Sequence, residues 1–186
     1  MKKSTLLTVI ILIGTLGVFA QTAKVKNRRG VEKSATKKIK GQTANKIQTT
    51  QKVKFDPTRN PNDDLQAAVL LAKKENKRII LDVGGEWCGW CHEMDAFIER
   101  NNELNKLKEK NFIWLKINFS EENKNEAFLA NYPEIKGYPH LYVLDADGKF
   151  LFSKDTSELE DGVKSYNLKK FTDFLNEYAQ RKNAEK

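Results

Sequence analysis

Residues 80–91 read Ile-Leu-Asp-Val-Gly-Gly-Glu-Trp-Cys-Gly-Trp-Cys, and they carry most of the information on how this chain folds. Residues 79–83 form a short apolar run that predicts a buried strand, and the two glycines that follow end it. The pair Cys88 and Cys91 comes directly afterwards, where we expect a helix to begin. The unpaired N–H groups and the positive dipole end of a helix N-terminus stabilise a thiolate, which lowers the pKa of a cysteine there. The stretch therefore predicts a reactive cysteine pair at a strand-to-helix junction.

The two cysteines have different expected roles, because the thiolate is the attacking species in disulfide exchange. Cys88, the first of the pair, is the expected nucleophile. Cys91 lies one helical turn further in, and we expect it to be more buried and to resolve the mixed disulfide. Gly89 lets a partner chain approach closely, and Trp90 offers that chain an apolar contact.

A charged pair is expected behind the cysteines. Asp82 lies inside the apolar strand, where a carboxylate is unfavourable unless it is paired or protonated. Lys116 lies in a second apolar run, residues 112–118, and is the expected partner. Together they would accept the proton of Cys91 when this cysteine attacks a mixed disulfide. The alternatives are an Asp82 on a solvated face and a Lys116 whose ammonium reaches water at the strand end.

A proline opens the third predicted strand. Residues 137–140 read Gly-Tyr-Pro-His, and the strand covers residues 141–144. Proline at the first position of a strand often marks a cis bond, which for X–Pro is only about 0.5–1 kcal/mol less stable than trans. We therefore expect a cis bond before Pro139, with a trans proline in an ordinary loop as the alternative.

The apolar periodicity along the chain predicts the order α β α β α β β α. Strands that alternate with helices favour a parallel core, and the Asp-Ala-Asp-Gly turn at residues 145–148 favours a closing antiparallel hairpin. Residues 52–55 are a candidate first edge strand. The first predicted helix begins at residue 61. The second begins near residue 88 or 91 and has a break at residues 101–102. The third and fourth helices cover residues 122–131 and 167–181, and the last predicted strand covers residues 149–152.

Four separated elements resemble the thioredoxin family, in the order in which the family has them. Residues 80–91 are similar to its active-site strand and loop, with an acid six residues before the first cysteine. Residues 116–118 are similar to its next core strand, residues 136–139 to its cis-proline loop, and Gly148 fits its hairpin turn. The resemblance covers residues 63–181.

Within the family, the chain is most similar to exported bacterial thioredoxin-like proteins, in which a segment like residues 159–162 and Tyr166 precedes the last helix. The resemblance implies an α/β thioredoxin-like fold, whose central mixed sheet has a parallel core, an antiparallel hairpin edge and flanking helices. It also implies thiol–disulfide oxidoreductase activity and a cis-proline loop that lies against the cysteines and pairs with substrate backbone. The implied catalytic residues are Cys88, Cys91, Asp82 and Lys116, and the implied substrate-binding residues are Trp87, Gly89, Trp90, Tyr138 and Pro139.

Three departures from the family pattern leave the redox direction open. Trp90 replaces a proline between the cysteines, Gly84 replaces an aromatic residue, and His140 replaces the usual threonine after the cis-proline. Residues between the cysteines tune a reduction potential that spans roughly −270 to −120 mV across related proteins. We expect a reductant or isomerase, because an acid–lysine pair helps the resolving step; a disulfide-forming oxidant is the alternative.

The N-terminus predicts export. Lys2 and Lys3 precede an uncharged, mostly apolar run over residues 6–20, which ends in Val-Phe-Ala. This pattern is typical of a cleaved signal peptide, here residues 1–20, and predicts a periplasmic or secreted protein. An uncleaved N-terminal anchor is the alternative, although a membrane-spanning helix needs roughly 20 apolar residues.

The following segment, residues 21–54, is strongly basic. It holds eleven Lys and Arg residues and a single acid, Glu32, and it has no aromatic residue. Such a segment cannot bury enough apolar surface to offset its ordering entropy, so we expect a disordered linker before one domain over residues 55–186. It is either a solvated tether or a contact to an anionic membrane or cell-wall surface. Nucleic acid is not an expected partner of an exported protein.

Other uses of the cysteines stay open. Residues 88–92 read Cys-Gly-Trp-Cys-His, the signature of covalent c-type haem attachment, with His92 as the proximal ligand. Both cysteines with His92 and His140 are candidate metal ligands. A static bridge is the third option, although so short a loop adds little stability. The redox interpretation requires neither metal nor cofactor: its partners are proteins with disulfides or thiols and a dithiol protein that exchanges electrons.

Overall fold

The described part of the chain is built on a four-stranded mixed sheet. A computed structural model describes residues 53–179. The strands are β1 (Arg78–Gly84), β2 (Phe112–Asn118), β3 (His140–Leu144) and β4 (Phe150–Asp155). They lie in the order β2-β1-β3-β4, with β1 parallel to β2 and antiparallel to β3, and with β3 antiparallel to β4. The predicted α/β fold, with a mixed sheet flanked by helices, is confirmed.

Five α-helices and one 3₁₀ turn accompany the sheet within residues 53–179. They are α1 (Pro61–Glu75), α2 (Gly89–Arg100), α3 (Asn102–Asn111), α4 (Glu126–Leu129), the 3₁₀ turn Thr156–Leu159 and α5 (Leu168–Tyr178). The predicted break between α2 and α3 lies at Asn101.

The first helix begins and ends where its sequence provides caps. The side chain of Asn60 accepts a hydrogen bond from the backbone N–H of Asn62 at 2.9 Å, and Pro61 occupies the first helical position. Asn76 follows the last turn with a φ of 54°, in the left-handed region that commonly ends helices.

Two apolar layers cover the two faces of the sheet. Because side chains alternate along a strand, Ile80 and Asp82 of β1 face one side, and Leu81 and Val83 face the other. The Ile80 side packs against α2, α3 and α5, whereas the other side packs against α1 and α4. Asp82 is therefore buried on the side where α2 carries Cys91.

Three local expectations differ from the structure. Residues 53–55 form no edge strand, because the backbone N–H of Phe55 donates to Glu86 Oε1 at 2.9 Å and its ring is buried in the domain. The helix predicted over residues 122–131 is reduced to the single turn α4, since Ser120 and Asn123 exchange backbone hydrogen bonds in a polar turn before it. β4 begins at Phe150 and is longer than predicted.

The predicted signal peptide over residues 1–20 and the linker up to residue 52 lie outside the described residues. The last helix ends at Tyr178 and not at the predicted residue 181, since the backbone of Ala179 is already extended. The boundary between residues 54 and 55 stays a prediction. Among residues 53–179, no helix is long and apolar enough to cross a membrane.

The left-handed residue Asn76 provides a test of the first helix end. Asn76→Ala is expected to lower the free energy of unfolding by about 1 kcal/mol, because a Cβ without a local polar contact is unfavourable in this conformation. Asn76→Gly should be neutral or stabilising. Urea unfolding of the three proteins checks this, and an alanine variant as stable as the parent would contradict the assigned cap.

Candidate active site

The two cysteines lie at the start of α2 and are joined to each other. Cys88 is the N-cap residue of the helix, and its Sγ accepts a hydrogen bond from the backbone N–H of Cys91 at 3.1 Å. A disulfide connects the two sulfurs. The predicted strand–turn–helix position of the pair is thus present, with the first cysteine at the end of the helix where the backbone N–H groups are unpaired.

Both cysteines are buried, but to different extents. Cys91 is fully buried, whereas Cys88 keeps 4% of its surface exposed. Gly89 between them is exposed, and a Cβ at that position would meet no atom within 4 Å. A polypeptide can therefore approach the pair from the side of Cys88 and Gly89.

Aromatic side chains surround this approach. Trp87 is 57% exposed, and its Nε1 donates to the backbone oxygen of Phe119 at 2.6 Å. Its ring meets the edge of Tyr138 at 5.4 Å between centroids. Trp90 is half-buried and packs against the edge of Tyr166 at 5.5 Å. The more exposed of the two tryptophans is thus Trp87 rather than the residue between the cysteines.

The loop before β3 is brought against the cysteines. The Tyr138–Pro139 peptide bond is cis, as the sequence predicts. Tyr138 packs against the buried cluster that includes Cys88 and Cys91. The hydroxyl of Thr156 donates to the backbone oxygen of Pro139 at 2.6 Å, which holds the loop from the 3₁₀ turn after β4.

Asp82 and Lys116 form the expected pair. They are partners in the parallel register of β1 and β2, and Lys116 Nζ donates to Asp82 Oδ2 at 2.8 Å. The indole Nε1 of Trp114 donates to the same oxygen at 2.9 Å. The other oxygen, Asp82 Oδ1, is buried and accepts no hydrogen bond from any of the described residues. One oxygen of the carboxylate is thus held in place while the other is free to accept a proton.

A second carboxylate holds the lysine. Lys116 Nζ also donates to Asp95 Oδ1 of α2 at 2.9 Å. Burial alone would lower the pKa of Lys116, but the negative charges and hydrogen bonds of Asp82 and Asp95 together raise it above its ordinary value. The ammonium therefore stays charged, and it links the strand carboxylate to the helix that carries Cys91.

Sequence reasoning missed three residues of this arrangement. Asp95 lies four residues after Cys91, so helical spacing placed it on the same face. Trp114 lies two residues before Lys116, so strand alternation placed it beside the lysine. Phe55 lies with Cys88 and Cys91 in one buried cluster, although no local pattern links it to them.

The two histidines are engaged elsewhere. His92 Nε2 lies 2.8 Å from the backbone oxygen of Glu86, and His140 Nε2 lies 2.8 Å from Ser153 Oγ. Burial lowers the pKa of His140, although the charge of Asp155 acts in the opposite direction. Within residues 53–179, no group of three or more His, Cys, Asp or Glu side chains is placed to hold a metal ion.

Parts of this chain are similar in sequence to known proteins. A family model described as thioredoxin-like matches residues 60–146, which include the cysteine pair, Asp82, Lys116 and Pro139. Spermatogenesis-associated protein 20 of Mus musculus is 43% identical over 56 residues, and the human protein is 39% identical over 56 residues. Each of these matches covers 30% of this chain but only 7% of the relative.

Solved structures have the same fold. The disulphide isomerase from Xylella fastidiosa Temecula1 is 24% identical with a TM-score of 0.58, and the match covers 68% of this chain and 96% of that one. The oxidised C-terminal domain of DsbD from Neisseria meningitidis is 19% identical with a TM-score of 0.50, covering 68% of this chain and 99% of that one. The described domain therefore has a thioredoxin-like fold, and residues 60–146 match a family model of that description.

Proposed function

We propose that this domain is a protein thiol–disulfide oxidoreductase, which acts on disulfides of exported proteins through Cys88 and Cys91. The observation that carries the proposal is the disulfide at the N-terminus of α2, with a buried, lysine-bound carboxylate on the same side of the sheet. The fold shared with a disulphide isomerase from Xylella fastidiosa supports the same class of chemistry.

The first step is attack by the accessible cysteine. In the reduced domain, the Cys88 thiolate attacks one sulfur of a disulfide in the partner protein. The partner's S–S bond breaks, a mixed disulfide forms with Cys88, and the partner's second sulfur leaves and takes up a proton. The exposed Trp87 and the loop of Tyr138 and Pro139 flank the approach and are the proposed contacts to the partner chain, together with Gly89 and Trp90.

The second step releases the partner. Cys91 gives its proton to Asp82, whose Oδ1 accepts no hydrogen bond from the described residues. The resulting thiolate then attacks the Cys88 sulfur. The mixed disulfide breaks, the partner leaves with two electrons gained, and the Cys88–Cys91 disulfide of the structure remains. Lys116 and Trp114 orient the carboxylate throughout. A dithiol protein must then reduce the pair for another turnover.

The direction that we propose is reduction or isomerisation. A proton acceptor for Cys91 speeds the resolving step. A reductant or isomerase depends on this step, because it must release its partner from the mixed disulfide after each reaction. The same residues run in reverse in an oxidant, so the direction depends on the reduction potential of the pair. Slow reduction of insulin, with rapid oxidation of a dithiol peptide by the disulfide form, would assign the opposite direction.

The cellular setting is proposed from the N-terminal sequence. A signal peptide cleaved after Ala20 would deliver the domain to the periplasm or the exterior, joined to a basic linker. N-terminal sequencing of the exported protein should find Gln21 first, whereas a start at Met1 would favour the anchor. Salt-sensitive binding to anionic vesicles, lost on deletion of residues 21–54, would assign the linker to a membrane surface.

The cysteines can be tested separately. Cys88→Ser should abolish insulin reduction, because the remaining thiol, Cys91, is fully buried and cannot reach a disulfide of insulin. Reduced Cys91→Ser should instead accumulate a covalent adduct with insulin that a thiol reagent releases, because the second step is blocked. Non-reducing electrophoresis measures both results. Turnover by the Cys88 variant, or an adduct that forms equally well without Cys88, would contradict the assigned order of attack.

The proton acceptor can be tested by its pH dependence. Asp82→Asn keeps the shape of the side chain but cannot take the proton, so turnover near neutral pH should fall by about 10²-fold. The defect should shrink as the pH rises, because the Cys91 thiol then ionises without help. Asp173→Asn, a matched change of an exposed aspartate, should have no effect. A defect of equal size at every pH would assign Asp82 a purely structural role.

A further inference from the structure

Phe55 lies in the site although it precedes the residues that the family model matches. Its ring is only 3% exposed, whereas Val53 is 57% exposed and Lys54 is exposed as well. The backbone N–H of Phe55 donates to the side chain of Glu86, two residues before Cys88, at 2.9 Å. The chain before α1 is therefore fixed to the active-site loop, with one buried side chain at the point of attachment.

The ring occupies a space that β1 leaves empty. Gly84 is the last residue of β1, and a Cβ there would lie 2.4 Å from Cys91 Sγ and 3.0 Å from Phe55 Cζ. Any side chain at residue 84 would collide with the sulfur and the ring. The aromatic residue that the family resemblance expects at this position is thus absent, and a ring from residue 55 packs there instead.

The same ring also contacts the charged group of the site. Lys116 Nζ lies 4.1 Å from the centroid of the Phe55 ring, within the range of a cation–π interaction. The same ammonium donates to Asp82 and Asp95. Phe55 thus bridges the resolving cysteine and the lysine that holds the proton acceptor.

We propose that Phe55 is a positioning residue for this site. This proposal rests on the proposed function. The Phe55 ring forms a barrier that excludes water and small reagents from Cys91 and from the Asp82–Lys116 pair. Cys91 then reacts with the Cys88 sulfur and not with small disulfides or oxidants, and its proton passes to Asp82 rather than to solvent. The ring is supplied by the end of the N-terminal segment, so the barrier can be removed without altering the strand and helix that carry the chemistry.

The test measures how accessible Cys91 is, and it requires no enzymatic activity. The full chain carrying Cys88→Ser leaves Cys91 as its one thiol, whose alkylation by iodoacetamide is followed by mass spectrometry. Adding Phe55→Ala should raise the alkylation rate by about tenfold or more, because thiol reactivity follows exposure. Phe55→Leu, which restores an apolar cover, should return the rate most of the way to that of the parent.

A matched variant separates the local barrier from general loosening. Phe128→Ala truncates an equally buried phenylalanine on the other side of the sheet, and it should leave Cys91 alkylation within about twofold of the parent. An unchanged rate in Phe55→Ala would overturn the proposal, and so would an equal rise in Phe128→Ala. If Phe55→Ala does not fold, Phe55→Val takes its place, because valine leaves most of the ring's space empty. A Phe55→Val rate equal to that of Phe128→Ala would then overturn the proposal, and a higher rate would support it.

A second readout connects the barrier to exchange. In the Cys88→Ser chain, the Cys91 thiolate can attack glutathione disulfide, break its S–S bond and release one glutathione thiol, which leaves glutathione bound to Cys91. Phe55→Ala should raise the rate of this reaction by about tenfold or more. A parent with no exchange activity whose Cys91 is still exposed by Phe55→Ala would contradict the proposed function but not the barrier. An active parent whose Cys91 stays protected in Phe55→Ala would contradict the barrier alone.

Discussion

The ion pair between Asp82 and Lys116 is the interaction on which the rest of the site depends. Removing charges from water costs several kcal/mol per ion even after the protein relaxes, so such a pair persists only with good geometry and further hydrogen bonds. Here the two residues are register partners on parallel strands, and Trp114 and Asp95 supply the additional bonds. Because a buried pair of this kind is weak evidence for stability, its place beside a disulfide favours a chemical role.

The strand-to-helix junction connects this charge pair to the two cysteines. β1 carries Asp82 into the core and ends at two glycines, after which Cys88 caps α2. The helix start leaves backbone N–H groups for the first sulfur, and the next turn brings the second sulfur over the end of the strand. The sheet therefore positions the proton acceptor and the helix positions the sulfurs, so neither element alone makes the site.

The sequence predicts those parts of the site that depend on local pattern. An apolar run defined β2 to the residue, and a carboxylate and a lysine in two such runs identified the buried pair. The cis bond before Pro139 followed from its position at a strand start. These features could be predicted because each depends on residues that are close in sequence. A strand buried on both faces is a continuous apolar run, and proline restricts its own backbone.

The parts that the sequence did not predict depend on contacts between distant residues. Phe55 is a single apolar residue in a polar segment, and only the folded domain brings its ring to Cys91 and Lys116. The same tertiary contact explains why residues 53–55 form no strand. Asp95 has helical spacing from Cys91, and Trp114 alternates with Lys116 along β2. Their hydrogen bonds nevertheless depend on the register of β1 and β2 and on the packing of α2, which the local sequence does not indicate.

The proposed chemistry requires that the helix start keeps the Cys88 sulfur charged and ready to attack. Titration of the thiolate absorbance in the reduced Cys91→Ser protein tests this most directly, because Cys88 is then its one thiol. The measured pKa of Cys88 should lie below that of an unperturbed cysteine, and the rate of exchange with a model disulfide should follow the same titration curve. An ordinary thiol pKa without exchange would contradict it.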